Sequence, residues 1–337
     1  MVGNRIEYID LAKGFCICFV VMFHIMGTIP VIGTPITSFR MPLYFFLSGV
    51  FFKSYENFGG FLKRKINKLL IPYIFFQVIL GYLYPYIMFY VFGRECPSSH
   101  FSNMWFFLEC KGVGGPVWFL WCLFVMNIIF YFVYMIGKRC GHFFPPIFIL
   151  LLGSIGFLLG YYGISLPRNI DSALTAMPFF YLGYILFRQT NIFQPNKYDR
   201  YFYIIIAVLV CLLCCFSTTP TSYLFNKFNT SYSPLVSMTM VYCSGLAGTL
   251  LILLISKKLG HIPFISYLGR YSIMILCTHR FIYLLIEGGL GYIGLSSNTN
   301  NILTFVFTML SYFFVIPFMK KYMPYVTAQK DVIKIKK

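Results

Sequence analysis

The chain has 337 residues, of which 59% are hydrophobic and 11% charged, and its mean hydropathy is +0.76. Average usage is about 25% charged, so soluble, disordered, coiled-coil, collagen-like and disulfide-rich secreted classes are excluded. The net charge is +18, from 27 Lys+Arg against 9 Asp+Glu. On so apolar a background that excess reads as membrane topology, not as a nucleic-acid footprint.

Apolar stretches follow at 9–29, 37–53, 70–92, 117–136, 144–163, 173–187, 201–216, 235–256, 267–287 and 301–319. Most approach the ~20 residues that a helix needs to cross a bilayer; the second, sixth and seventh are short. The expected fold is an all-α polytopic membrane protein of about ten transmembrane helices. It forms a single integral-membrane domain with a basic tail at 320–337. With the N-terminus in the cytoplasm, nineteen Lys and Arg residues fall on inside segments. Five fall on outside loops: Arg40, Arg94, Lys111, Arg168 and Lys227. Lys13, Arg270 and Arg280 lie within or at the ends of spans. This bias places both termini in the cytoplasm. Aromatic residues, at 21%, supply lipid-facing surface and interfacial anchors. Asp10 and Lys13 interrupt the first span, and no small-residue cleavage site follows, which argues against a removed leader. No internal repeat is detectable, which disfavours transporter folds built from duplicated halves.

Ionisable groups inside a bilayer are costly, so they carry the functional signal. The first span holds Asp10, Lys13 and His24. Lys13 and His24 share one helix face, roughly 16 Å apart along the axis. Asp10 and Lys13 can pair at i, i+3. In the second span the small residues Ser48-Gly49 read as a helix-packing site. The inside loop Lys63-Arg64-Lys65-Ile66-Asn67-Lys68 has two readings. It is a topology and lipid-contact signal, or it is a phosphate site.

The long outside loop carries Cys96 and Cys110, which lie on the oxidising side and can form a disulfide. The other nine of the eleven cysteines read as packing residues. No cysteine pair has zinc spacing with a histidine partner, so no metal is expected. Gly112, Gly114, Gly115 and Pro116 lead into Trp118, an interfacial anchor or a wall for a polar ligand. The ninth span carries His279 and Arg280 after Arg270-Tyr271-Ser272. His279 lies at a depth similar to that of His24, with Glu287 or Asp171 as candidate carboxylate partners.

Several of these segments, in order, resemble the acyltransferase 3 family of membrane-integral acyltransferases. They are Arg5 to Gly14 followed by His24, Arg40 to Gly49, the basic run up to Pro72, Val117-Trp118-Phe119-Leu120, Pro178 to Tyr184, and Leu268 to Ser272 ahead of His279. The resemblance implies ten spans and transfer of an acyl group, commonly acetyl from acetyl-CoA, to a hydroxyl of a carbohydrate or other envelope acceptor. The family's basic residue and histidine fall on Lys13 and His24. Its arginine pair falls on Lys65 and Lys68, both lysines here. Position 40, often histidine in relatives, is Arg40 and receives no catalytic role.

The combined expectation is a multi-pass O-acetyltransferase of a bacterial cytoplasmic membrane. It would take acetyl-CoA and a cell-surface carbohydrate, such as capsule, O-antigen, exopolysaccharide or a lipid-linked sugar, with no nucleic acid. His24, Lys13, Asp10 and His279 are the candidate catalytic residues. Lys63, Arg64, Lys65 and Lys68 are the candidate donor site. Arg270, Ser272 and Trp118 are candidate acceptor or oxyanion contacts. His24 acts either as a general base or as a covalent acyl carrier. The competing reading is an exporter or transporter of the same fold, because intramembrane charges also mark transport paths.

Overall fold

The structure is a computed structural model that describes residues 6–27, 33–55, 57–79, 90, 115–189, 201–217, 226–292 and 296–334. Cys96, Cys110, Arg94, Lys111, Gly112 and Gly114 lie outside the described residues, as does most of the expected third span.

The architecture is helical. The helices are α1 (Glu7–Met26), α2 (Gly33–Val50), α3 (Phe58–Lys65), α4 (Ile71–Val78), α5 (Trp118–Cys140) and α6 (Phe144–Tyr161). They continue with α7 (Ile170–Gln189), α8 (Phe202–Phe216), α9 (Pro234–Leu259), α10 (Pro263–Arg270), α11 (Ser272–Gly291) and α12 (Ser297–Tyr322). Among the described residues, seven helical segments are long and apolar enough to cross a membrane, built on α1, α5, α6, α7, α9, α11 and α12. Of the remaining expected spans, α8 is a shorter apolar helix. Helix α2 has the length, but Thr34, Thr37, Ser38 and Arg40 dilute its apolar character. The ninth expected span is broken at Tyr271 into α10 and α11. Large side chains such as Phe314, 81% exposed, cover the outside of the bundle. That is an inverted surface for water and an ordinary one for lipid.

Helix α1 is central and touches α2, α9, α10, α11 and α12. Lipid is as apolar as leucine, so such helices associate through close packing, not through hydrophobic expulsion. Two crossings show how close the packing is. A Cβ on Gly269 would collide with the Asp10 carbonyl, and one on Gly14 with the Ile265 carbonyl, which joins α1 to α10. A Cβ on Gly49 would collide with the Phe180 carbonyl, and one on Gly183 with the Phe46 carbonyl, which joins α2 to α7. Backbone lies on both sides of each crossing, so neither can yield by a rotamer change.

Between α3 and α4 the chain widens into a π-helical turn, Ile66–Leu70. The Ile71 N–H reaches back five residues to the Ile66 carbonyl. Pro72 has no N–H to continue the regular ladder, which suits a wide turn at this point. The turn also holds the C-terminal tail. Asn67, buried, donates from Nδ2 to the Ile333 carbonyl at 2.9 Å. Its Oδ1 accepts from the backbone N–H groups of Val332 at 3.0 Å and Ile333 at 2.9 Å. Lys68 donates to the Ala328 carbonyl at 2.7 Å and pairs with Asp331 at 3.2 Å. Both members of that ion pair are over a third exposed, so Asn67 is the firmer anchor.

Two results test this packing. Gly183→Ala should lower the melting temperature in detergent, because the added methyl meets backbone and overpacking costs about 1–3 kcal/mol. Gly288→Ala on α11, where no atom lies within 4 Å, should match or exceed the parent, through roughly 0.5–1 kcal/mol of helix propensity. Equal effects at both positions would contradict the crossing. Asn67→Ala should raise amide hydrogen exchange across 328–334 before global unfolding; unchanged protection there would show that the tail is held by something else.

Candidate functional site

A cavity of about 220 Å³ opens beside the π turn and runs into the bundle. Arg64, Lys65 and Lys68 contribute one wall and Lys13 of α1 faces them. The hydroxyl-bearing residues Tyr44, Ser48, Tyr55 and Ser272 and the amide of Asn127 add polar lining. Among the described residues, no acidic side chain lines it. Aromatic faces position the cations: the Lys13 ammonium sits 4.2 Å from the Phe51 ring centroid and the Arg64 guanidinium 4.5 Å from that of Tyr55. Burial pulls the Lys65 ammonium down from the usual lysine range to about 8. Such a set suits a multiply anionic ligand.

Three of the four basic-run residues therefore share one cavity. Lys63 does not; it is exposed and points away, because residues one and two positions from Arg64 and Lys65 fall on another face of α3. Asp10 is buried where α1 crosses α10 and does not line the cavity. Arg270, the last residue of α10, is exposed and also stands apart. Ser272 lines the cavity from the start of α11. Trp118 is buried with its ring edge-on to Phe119, 6.1 Å between centroids, and lies just behind the lining residues Phe119 and Leu120.

The innermost α11 residue of the cavity is Leu276, about one helical turn short of His279. There the two histidines meet. The ring centroids of His24 and His279 are 5.1 Å apart, with planes inclined at 42°. His279 is fully buried and His24 is exposed. The His279 Nδ1 lies 2.9 Å from the Ile275 carbonyl. A carbonyl can only accept, so Nδ1 carries the hydrogen and Nε2 presents its lone pair. That Nε2 has no hydrogen-bond partner. The orienting group is thus a backbone carbonyl, not Asp171 or Glu287. The Asp171 carboxylate instead accepts from the N–H groups of Leu166 and Ser172 at the start of α7.

Two further cations neighbour His24, namely Arg40 of α2 and Arg280 of α11. The Arg40 guanidinium lies 3.6 Å from the Phe23 ring centroid. Sequence reasoning named Arg40 and gave it no catalytic role, because spacing along the chain does not show its nearness to His24. It passed over Asn127, although an amide inside an apolar span is itself a signal. Asn127 donates to the Leu123 carbonyl at 2.7 Å, and its buried Oδ1 has no hydrogen-bond partner. Ser48 donates to the Tyr44 carbonyl at 2.8 Å, which leaves its oxygen lone pairs on the cavity. Among the described residues, no group of three or more His, Cys, Asp or Glu could hold a metal ion.

A family model for an acyltransferase domain, acyltransferase 3, matches residues 6–320. No curated protein matches the chain, and no solved structure matches it. The family match covers nearly the whole chain, helices, basic cavity and histidine pair included, and the chain therefore belongs to the acyltransferase 3 family as a helical, multi-pass membrane acyltransferase.

Proposed function

We propose that the protein moves an acetyl group from cytosolic acetyl-CoA to a hydroxyl of a cell-surface carbohydrate. In this reading the chain crosses a bacterial cytoplasmic membrane ten times with both termini inside. The basic cavity then opens to the cytoplasm and the histidine pair lies in the outer half. The observation that carries the reading is the alignment of these two features. A cavity lined by Lys13, Arg64, Lys65 and Lys68 ends about one helical turn from two imidazoles in ring contact.

Arg64, Lys65 and Lys68 hold the donor's phosphates, and Lys13 guides its arm inward. His24, the more exposed imidazole, takes the proton from the acceptor hydroxyl. The hydroxyl oxygen attacks the thioester carbonyl, the C–S bond breaks, and the departing thiolate takes up a proton to leave as the free thiol. His279, fixed by the Ile275 carbonyl, supports the developing imidazolium of His24 through its unprotonated Nε2 and shields it from lipid. Ser272 and Tyr44, both on the cavity, line the path of the donor's arm towards the histidines. Asp10 holds α1 in register with α10, and Arg270, Lys63 and Trp118 have no direct part in the step.

His24→Ala should lower acetyl transfer by about 10²–10⁴-fold, as loss of a general base does, while donor affinity stays within about twofold. Full acetylation of the surface glycan in cells carrying His24→Ala, measured by mass spectrometry, would end this reading. Donor binding should also depend on pH through Lys65. Its ammonium, with a pKa of about 8, binds phosphate only when protonated. Affinity should therefore fall as pH rises, by about fivefold between pH 8 and pH 9, as the charged fraction drops from about one half to about one tenth. Lys65→Arg should remove that dependence, because guanidinium stays charged. A flat profile in the parent would exclude Lys65 from the phosphate site.

A further inference from the structure

We infer that the acceptor is an acidic sugar, whose carboxylate or phosphate is gripped by Arg40 and Arg280 while its hydroxyl faces His24. This deepens the proposed function and rests on the histidine pair being the place where the acceptor reacts.

Two guanidiniums flank the imidazoles from different helices. Arg40 comes from α2 and is held flat against Phe23 by its 3.6 Å approach to the ring centroid. Its Nη1 is buried and has no hydrogen-bond partner. A guanidinium cannot shed its proton to escape that cost. An unsatisfied charged donor costs more than a neutral one. A bound anion removes the cost. Arg280 comes from α11 and is exposed. Its Nη1 occupies the space where a side chain at residue 115 would begin, 2.6 Å from a Cβ built there. Gly115 has φ +58° and lacks that Cβ, so the backbone leading into α5 makes room for the guanidinium.

Acids of the described residues do not answer these cations. Among the described residues, neither Arg40 nor Arg280 has a carboxylate within ion-pair distance. Helices α2, α5 and α12 carry no Asp or Glu, and on α11 the acid is Glu287, two turns beyond Arg280. The acids of α1, Glu7 and Asp10, sit in its first turn, at the opposite end from His24. Two guanidiniums from separate helices both neighbour His24, and one has a buried unpaired nitrogen; each offers the forked N–H donors that suit a carboxylate or phosphate. A neutral sugar would leave both charges uncompensated.

The test uses the full chain purified in a maltoside detergent free of phospholipid. Binding of glucuronate, glucose 1-phosphate and glucose is followed by saturation-transfer NMR, and acetyl transfer to each by mass spectrometry. At least one anionic sugar should bind ten times more tightly than glucose. Arg40→Gln and Arg280→Gln should each cut that preference at least fivefold, with donor binding at the distant basic cavity unchanged as the check on folding. Arg40→Lys should restore part of it. The carboxylate and phosphate probes distinguish the two anions. Equal binding of glucose and both anions, or a preference that survives both arginine changes, would overturn the inference. So would glucuronate and glucose 1-phosphate failing to bind while phosphatidylglycerol vesicles bind in an Arg40-dependent way, because the site would then serve a lipid headgroup. Anion binding without acetyl transfer would count against the proposed reaction and for the anion site. Transfer to neutral sugars, unaffected by Arg40→Gln, would do the reverse.

Discussion

Hydrocarbon cannot solvate charge, and the arrangement of this protein follows from that constraint. Every ionisable group on a spanning helix must find a partner, an aromatic face, an aqueous cavity or the interface. Lys13 meets the Phe51 ring at the edge of a polar cavity. Arg40 meets the Phe23 ring. His279 is fully buried and tied to the Ile275 carbonyl. These side chains lie on α1 or on helices that pack against it, α2 and α11. The glycine crossings at Gly14–Gly269 and Gly49–Gly183 bring α1 against α10 and α2 against α7 at backbone contact.

A division of labour along one axis results. The basic-loop end offers a cluster of cations held by aromatic faces and by the tail, suited to a soluble phosphate ligand. The histidine end offers a fixed pair of rings whose hydrogen-bond directions are set by backbone. The two are joined by lining residues that include Tyr44, Phe119 and Leu276. The C-terminal tail adds a brace at the basic end, because Asn67 and Lys68 belong to the same π turn that lines the cavity and holds the tail. A chain that carried substrate across the membrane would need that path continuous and changeable. A chain that passes only an acyl group needs donor and acceptor to meet at one point, and a basic cavity that ends about one helical turn from the histidine pair suits that need.

Much of this was legible in the sequence. Composition alone gave a helical membrane protein, and helix rise alone put His24 and His279 at one depth, where their rings meet at 5.1 Å. The basic run was recognised, but not which members share a face. A π turn shifts the register after Lys65, and spacing rules for regular helices do not anticipate it. Asp10 looked catalytic because charge in a span is conspicuous; its place at a glycine crossing depends on α10, some 255 residues later in the chain. Arg270 looked like part of α11, but the break at Tyr271 leaves it on the exposed end of another helix. The count of ten spans is the least settled by periodicity. Polar residues in α2 and the break in α11's approach blur hydropathy, and most of the third stretch lies outside the described residues.

The central claim is that one donor molecule bridges the basic cavity and the histidine pair. The most direct measurement is a cryo-EM structure of the full chain with acetyl-CoA. The account predicts the phosphates against Arg64, Lys65 and Lys68 and the acetyl carbonyl within about 4 Å of the His24 ring, near the limit for a near-attack geometry. Donor density elsewhere in the bundle, or an acetyl group that ends on the far side of Leu276 from both histidines, would contradict it.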